Sequence, residues 1–191
     1  ICAAIVLFGC TQTIVDDKPI SGVFITGEIE NPKSDFAVFW VKKGNDRFKD
    51  TVRLDSTGQF STNFNVSEQK FGSFYHGNET TAMFFVPGDS IHITINTEQF
   101  DESVTYTGTG ASPNNYLAKK YLTKEQSGLP FKELYSLEPD AFISRIDSAR
   151  KVLDEDLGIF LQENPKVPEE FTKNEGANLL YDWALQRISY P

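Results

Sequence analysis

The sequence contains few of the residues on which most catalytic and metal sites depend. Its 191 residues include two cysteines, Cys2 and Cys10, and two histidines, His76 and His92. A zinc site takes three or four protein ligands, and the histidines lie on different predicted strands, so we predict no metal site and interpret both as ordinary strand residues. No segment resembles the GxSxG nucleophile elbow, and the acidic residues are too scattered to nominate an acid–base pair. The sequence therefore predicts no catalytic residue and no cofactor.

The chain also lacks an excess of basic residues and a long apolar run. It has 18 Lys and Arg against 27 Asp and Glu, which gives a net charge of -9 and a pI near 4.7. A nucleic-acid partner would require a basic surface, and we predict none. The apolar run at residues 1–9 is much shorter than the roughly 20 residues of a membrane-spanning helix.

The first ten residues, ICAAIVLFGC, resemble the end of a bacterial lipoprotein signal. Leu7 stands three residues before Cys10, and the small Gly9 stands directly before it, as in a lipobox, although Phe8 is bulkier than usual there. Without an initiating Met or a basic leader, this segment is expected to be the end of a longer signal. Cleavage would make Cys10 the lipidated first residue, and its acyl chains would hold the protein to a membrane. The alternative is a core strand with a free thiol.

Four segments follow from these patterns. Residues 1–10 are interpreted as a truncated lipoprotein signal, 11–19 as a tether, 20–110 as a β domain and 111–191 as a helical segment. The fold class is therefore α+β.

Residues 20–110 read as about seven short strands. In SIHITIN the apolar Ile91, Ile93 and Ile95 alternate with polar residues, which is typical of a half-buried strand. Asp55 to Gly58 suits a hairpin turn that ends with glycine in the left-handed region. Short strands at this spacing predict an antiparallel β-sandwich or a small barrel.

Residues 111–191 read as about three helices. Ser112 is the predicted N-cap of the first, with Pro113 at its first position and SGLP at its end. The second is expected from Glu138 to Asn164, with its apolar residues on one face. The third should start near Pro168 and carry the apolar residues Phe171, Leu180, Trp183, Ala184 and Ile188.

Two features of the β domain are candidate binding elements. The aromatic residues Phe36, Phe39 and Trp40 would form a ligand platform if they faced water, and a part of the core if they faced inward. We retain Trp40 and Phe39 as candidate ligand-binding residues. Gly108 and Gly110 precede a helix N-terminus that could hold an anion, but a plain strand-to-helix turn is the favoured interpretation because the remaining features of a dinucleotide site are absent.

The order of these features resembles the N-terminal region of bacterial TlpA-like thiol-disulfide oxidoreductases. The motifs that carry the resemblance are the lipobox-like start, GVFITGEIENP, VRLDSTGQFSTNF, FFVPGDSIHITIN and VTYTGTGASPNNYL. The resemblance implies an envelope lipoprotein in which a β domain and a helical segment precede a thioredoxin-like domain. The family's catalytic residues are a CxxC pair, and no position of this chain matches it. The resemblance also implies a protein that faces the periplasm, with the outer membrane favoured.

Two hypotheses follow. In the first, the chain is the non-catalytic N-terminal region of an envelope lipoprotein that presents or regulates a downstream thioredoxin-like thiol-disulfide reductase domain, with a second subunit or periplasmic substrate proteins as further partners. In the second, it belongs to a free-standing binding lipoprotein that captures a glycan or peptide on its β domain. Solvent exposure of Trp40 would favour the second. A carboxylate hydrolase is a third hypothesis, but no residue pair supports it.

Overall fold

The computed structural model describes residues 22–43, 46–128 and 130–191. The predicted signal at 1–10, with the lipidation candidate Cys10, and the tether at 11–19 lie outside the described residues.

In the described residues, eight strands form two four-stranded sheets. The first sheet has the order β4-β1-β7-β8 and the second has the order β3-β2-β5-β6. The strands are β1 (Val23–Glu30), β2 (Phe36–Lys43), β3 (Asp46–Arg53), β4 (Gln59–Phe64), β5 (Lys70–His76), β6 (Glu79–Phe85), β7 (Ser90–Asn96) and β8 (Thr105–Gly108). The predicted α+β class with an N-terminal β-sandwich is confirmed. β1 and β7 pair in parallel, so the first sheet contains both parallel and antiparallel pairs. Between these two strands the chain passes through the second sheet.

The core lies between the two sheets and follows the alternation of the strands. Ile91, Ile93 and Ile95 of β7 are all buried, as their period-two spacing predicts. Phe39 of β2 lies at the centre of an aromatic group, with the ring centroids of Phe60, Phe64, Phe74 and Phe85 between 5.2 and 6.4 Å from its own.

The turn between β3 and β4 has the predicted conformation, but the predicted hairpin is wrong, because β3 pairs with β2 in the second sheet and β4 pairs with β1 in the first. The Asp55 carboxylate accepts hydrogen bonds from the Thr57 hydroxyl and from the backbone N–H groups of Thr57 and Gln59. These bonds hold the pKa of Asp55 below its usual value. Gly58 has a φ of 81°, which is the left-handed conformation that the sequence predicts.

The helical segment contains three long helices, as predicted, and short additional turns. After a 3-10 turn at Thr97–Gln99 come α1 (Phe100–Ser103), α2 (Ala111–Ser127), α3 (Phe131–Leu134), α4 (Pro139–Glu163) and α5 (Glu169–Ile188).

Two details of the predicted start of α2 are wrong, since Ser112 is not its N-cap and Pro113 is its third residue rather than its first. The N-cap of α2 is Gly110, with a φ of 82° and no side-chain cap, and the Ser112 hydroxyl bonds instead to the side chain of Asn164 after α4. In α5 the buried residues are Phe171, Glu175 and Leu179, spaced four apart. Leu180 and Ile188, which lie on this helix as predicted, are exposed.

Helix α2 closes one side of the sandwich by bonding to an edge strand of each sheet. The Asn114 side chain accepts from the N–H of Phe84 in β6 and donates to its carbonyl, at 2.7 and 3.0 Å. The Asn115 side chain makes the same two bonds with Tyr106 of β8, at 2.9 and 2.8 Å. Two adjacent asparagines thus satisfy backbone groups on both open edges.

An aromatic cluster joins the helices to the outer face of the second sheet. Phe171 of α5 is fully buried, and its ring centroid lies 5.2 to 5.8 Å from those of four other rings. They belong to Phe71, Phe84, Tyr116 and Phe160, which come from β5, β6, α2 and α4. The ring of Phe171 therefore connects the sandwich to every long helix.

Candidate functional site

The two predicted platform residues face opposite sides of β2. Phe39 has no exposed surface and packs in the sandwich core, so the prediction that it contacts a ligand is wrong. Trp40, the next residue, points to the outer face because side chains alternate along a strand. It is half-buried there, and Phe36, on the same side of the strand, is 42% exposed, so these two members of the predicted platform remain.

Trp40 lies in a small group of side chains that we call the aromatic surface, made up of Trp40, Tyr75 and Lys49. The rings of Trp40 and Tyr75 meet edge to face, with centroids 6.4 Å apart. The Lys49 ammonium lies 5.8 Å from the centroid of the Trp40 ring, within the range of a cation–π contact. Tyr75 is 39% exposed, so the aromatic surface has a solvent-exposed aromatic ring beside one positive charge.

The two histidines are ordinary strand residues, as predicted. His76 is buried at the end of β5, where its Nε2 accepts from the N–H of Lys33 and its Nδ1 bonds to the carbonyl of Phe36. Burial lowers the pKa of His76 below its usual value. His92 bonds to the Thr26 hydroxyl on the neighbouring strand. Within residues 22–43, 46–128 and 130–191, no group of His, Cys, Asp and Glu could hold a metal ion.

Gly108 and Gly110 form a strand-to-helix turn, as favoured from the sequence. β8 ends at Gly108 and α2 begins at Ala111. The Asp89 carboxylate lies beside Gly110, where an added Cβ would meet its Oδ2 atom. The space at this helix N-terminus therefore already holds a carboxyl side chain of the chain itself, whose pKa is raised by burial.

Charged and polar pairs hold the three long helices together. Lys120 of α2 donates to Glu175 of α5 at 2.5 Å, and the Glu175 side chain has no exposed surface. Trp183 of α5 donates from its indole nitrogen to Asp147 of α4 at 2.7 Å. A buried ion pair of this kind fixes the register of two helices because removing one partner leaves an uncompensated charge.

Between α2, α4 and α5 lies the interhelical cavity, with a volume of about 350 Å³. Its apolar wall is formed by Leu134, Ile146, Leu153, Leu179 and Trp183. Two cationic residues of α4, Arg145 and Arg150, also line it, together with Ser127 and Gly128 at the end of α2. The cavity combines an apolar wall with several polar and charged side chains, and an apolar wall with convergent polar groups is typical of a small-molecule site.

The other side of α5 carries exposed apolar side chains. Tyr181, Leu185 and Ile188 are 69%, 60% and 80% exposed, and their spacing of four and three residues places them on one face of the helix. We call these three residues the α5 stripe. Apolar residues scattered singly over a surface are normal, but a row along one helix indicates a contact surface.

Sequence reasoning missed both features of the helical segment. Apolar residues surround the carboxyl half of α5, so periodicity could not distinguish the buried face from the exposed one. The spacing of 181, 185 and 188 was a visible signal of the stripe. The cavity had no sequence signal, because its wall comes from helices that are distant in the chain.

None of the helices in the described part of the chain is both long enough and apolar enough to cross a membrane. No protein-family model matches the chain, and no curated protein is similar to it. A solved structure, that of a "putative cell adhesion protein" from Bacteroides ovatus, is similar to part of it, with 10% identity and a TM-score of 0.30. The match covers 48% of this chain and 44% of that one, so the chain spans less than half of that protein.

Proposed function

We propose that this chain is the non-catalytic N-terminal region of an envelope lipoprotein and that it presents a downstream thioredoxin-like thiol-disulfide reductase domain. The observation that carries the proposal is the α5 stripe. Its three side chains lie on the last helix of the chain, within reach of any domain that follows residue 191. Fully burying a Leu or Ile side chain contributes roughly 1.5–3 kcal/mol, so a domain that covered the stripe would be held in a fixed orientation.

The packing around Phe171 supports a presenting role. α5 is joined to the sandwich through its amino-terminal half, where Phe171, Glu175 and Leu179 are buried. The stripe begins at Tyr181, two residues after Leu179, and leaves one face of the carboxyl half of the helix available for contact. A domain docked there would be held in a set position relative to the β-sandwich.

Hydroxyl-radical footprinting tests this arrangement. The product of the complete gene and the chain of residues 1–191 are labelled under the same conditions, and oxidation of Tyr181 and Leu185 is measured by mass spectrometry. We expect the labelling of both to fall at least fivefold in the complete product. Phe131, which is 73% exposed on α3, is the control and should be labelled equally in both. Equal labelling of Tyr181 in the two proteins would contradict the proposal.

The proposed anchor is tested separately by metabolic labelling with a palmitate analogue in a bacterial host, using the gene with its native leader. We expect label on the unmodified protein and on Cys2→Ser, and no label on Cys10→Ser. Label that persisted on Cys10→Ser would refute the lipidation of Cys10 and leave the docking proposal intact.

A second candidate function is that of a free-standing binding lipoprotein that captures a glycan or peptide on the aromatic surface. The partial exposure of Trp40 and Tyr75 favours it, since aromatic rings supply contact area at low entropic cost. Trp183→Phe leaves Trp40 as the only tryptophan, so its fluorescence can be followed during titration with oligosaccharides and with short peptides. A saturable change that disappears in Tyr75→Ala would support this function, and no change with either class would refute it.

A further inference from the structure

We propose that the interhelical cavity binds a small organic carboxylate with an apolar body. This inference concerns the cavity between α2, α4 and α5 and is independent of what covers the α5 stripe. It rests on the shape of the cavity, on one arginine whose charge is uncompensated, and on two buried hydrogen-bond donors without partners.

The cavity has the size and the wall of a small-molecule site. Its volume of about 350 Å³ lies at the lower end of the roughly 300–1,000 Å³ range of such sites. Leu153 and Leu179 are buried on two different helices, and the Trp183 ring lies beside them. A compact apolar group, such as an aromatic ring or a short alkyl chain, would be desolvated against these side chains.

The cations of the cavity differ in how their charge is compensated. Lys124 is paired with Asp182 at 2.7 Å. Arg150 is paired with Asp154 at 3.2 Å and packs 4.8 Å from the centroid of the Trp183 ring. For Arg145, no carboxylate of the described residues lies within ion-pair distance of the guanidinium, and its Nη2 donates to the neutral carbonyl of Gly128 at 3.1 Å. Because arginine is always protonated, this half-buried charge favours an anion beside it.

Two donors in the cavity wall lack partners. Within the part of the chain that the structure describes, the Nε of Arg145 and the Oγ of Ser127 are buried without a hydrogen bond. The Arg145–Gly128 bond brings the guanidinium to the end of α2, where Ser127 is the preceding residue. A carboxylate has two oxygens and can accept from an arginine and a hydroxyl together. Buried donors left unpaired cost about 1–3 kcal/mol each, so such a ligand would remove a penalty at both groups.

The charge of the rest of the molecule restricts the class of anion. Glu125 and Asp182 also line the cavity, and the chain has a net charge of -9. The surrounding field therefore opposes anions in general, and an inorganic anion would gain nothing from the apolar wall. An organic carboxylate can pair its charge with Arg145 and bury its apolar body against the cavity wall. It is therefore the ligand class that fits both parts of the cavity.

Fluorescence titration tests the proposal, because Trp183 lies in the cavity wall. Trp40→Phe leaves Trp183 as the only tryptophan, and this variant is titrated with phenylpropanoate, octanoate and indole-3-acetate, and in parallel with the amide of each acid. We expect at least one acid to change the emission saturably with a Kd below 1 mM, and its amide to bind at least tenfold more weakly. Inorganic phosphate at the same concentrations should not compete. No saturable change with any acid, or equal affinity for acid and amide, would overturn the proposal.

Two cavity variants and one remote control assign the binding to this site. In the Trp40→Phe background we expect Arg145→Gln to weaken binding at least tenfold and Ser127→Ala to weaken it threefold or more. Arg53→Gln removes an exposed arginine on β3 and should bind as the parent does. If circular dichroism shows that Arg145→Gln does not fold, the affinity of Ser127→Ala and the acid–amide comparison test the proposal in its place. Unchanged affinity in both cavity variants would show that the ligand binds elsewhere.

Discussion

Two neighbouring asparagines, Asn114 and Asn115, attach the first long helix to both sheets of the sandwich. Each side chain pairs with the N–H and the carbonyl of one edge-strand residue, as a neighbouring strand would. The motif GASPNNYL, which contributed to the resemblance, therefore has a physical role: its two amides satisfy the edges of β6 and β8 while α2 covers the opening between them.

The first prediction concerns Asn114, which is fully buried, whereas Asn115 is exposed. Asn114→Leu keeps the size of the side chain but leaves the N–H and carbonyl of Phe84 without their partner. We expect it to lower the free energy of unfolding by about 2–4 kcal/mol, since each buried group left unsatisfied costs about 1–3 kcal/mol. Asn115→Ala should cost less than about 1 kcal/mol, because water can replace its bonds. Urea denaturation measures both, and a smaller loss for Asn114→Leu than for Asn115→Ala would contradict this account.

The second prediction concerns the pH dependence that His76 causes. Its Nε2 accepts from the N–H of Lys33, so protonation would place a donor against a donor, and burial lowers the pKa of the folded state. The unfolded chain, with a histidine pKa of about 6.5, binds the proton first. The stabilising effect of neutral His76 is therefore complete above pH 6.5 and is lost as the pH falls below that value towards the lowered pKa of the folded state.

Thermal unfolding between pH 7.5 and pH 5.5 measures this dependence. We expect the melting temperature to fall as the pH is lowered, and to fall less in His76→Gln, although that variant is less stable throughout. His92→Gln leaves His76 in place and should keep the original pH dependence. If His76→Gln kept it too, the assignment to His76 would be incorrect.

For single strands and helices, the sequence predicts the buried face best where the opposite face is polar. The isoleucines of β7 alternate with polar residues, and the Asp55–Gly58 turn has a local signature, so the buried face of β7 and the conformation of the turn were predicted correctly. The hairpin expected at this turn was wrong, because nothing in the local sequence shows that β3 and β4 join different sheets. In β2 both faces are apolar: Ala37, Phe39 and Val41 alternate with Phe36, Val38 and Trp40. Alternation alone could not decide which set faces the core, and this is why Phe39 was grouped with Trp40 as a platform residue.

The third prediction concerns two leucines of α5, which has buried and exposed apolar faces. Leu179 is 4% exposed and Leu185 is 60% exposed. We expect Leu179→Gln to cost about 2–5 kcal/mol of stability, as the loss of a packed core side chain does. Leu185→Gln should change stability by no more than about 0.5 kcal/mol and should lower the binding of a hydrophobic dye. Guanidinium denaturation and dye fluorescence measure these effects, and equal losses of stability would contradict the assignment of the two faces.

At the scale of the whole molecule, the sandwich and the helices are one packed unit. Three hydrophobic clusters follow one another, from the sandwich core through the rings around Phe171 to Phe142 and Ile146 under α3. The order of strands before helices was readable from the change of hydrophobic period. The joint between the layers could not be predicted, because its residues are far apart in the chain and meet only in the folded structure. They are Phe71, Phe84, Tyr116, Phe160 and Phe171.

The fourth prediction concerns this joint. Phe171→Ala removes the ring that contacts β5, β6, α2 and α4, and we expect it to lower the free energy of unfolding by about 3–5 kcal/mol. Because the layers lose their common contact, the helices should unfold before the sandwich. Phe131→Ala, at a 73% exposed position, is the matched control and should behave as the unmodified protein. Circular dichroism at helix and aromatic wavelengths measures the two transitions, and coincident transitions in Phe171→Ala would show that the joint does not couple the layers.

The most direct test of the proposed function is to read the gene beyond the codon for Pro191. The account predicts an open frame that continues into a thioredoxin-like domain, with a CxxC motif between a strand and a helix. A stop codon directly after Pro191 would contradict it, since the α5 stripe would then have no domain of its own chain to present.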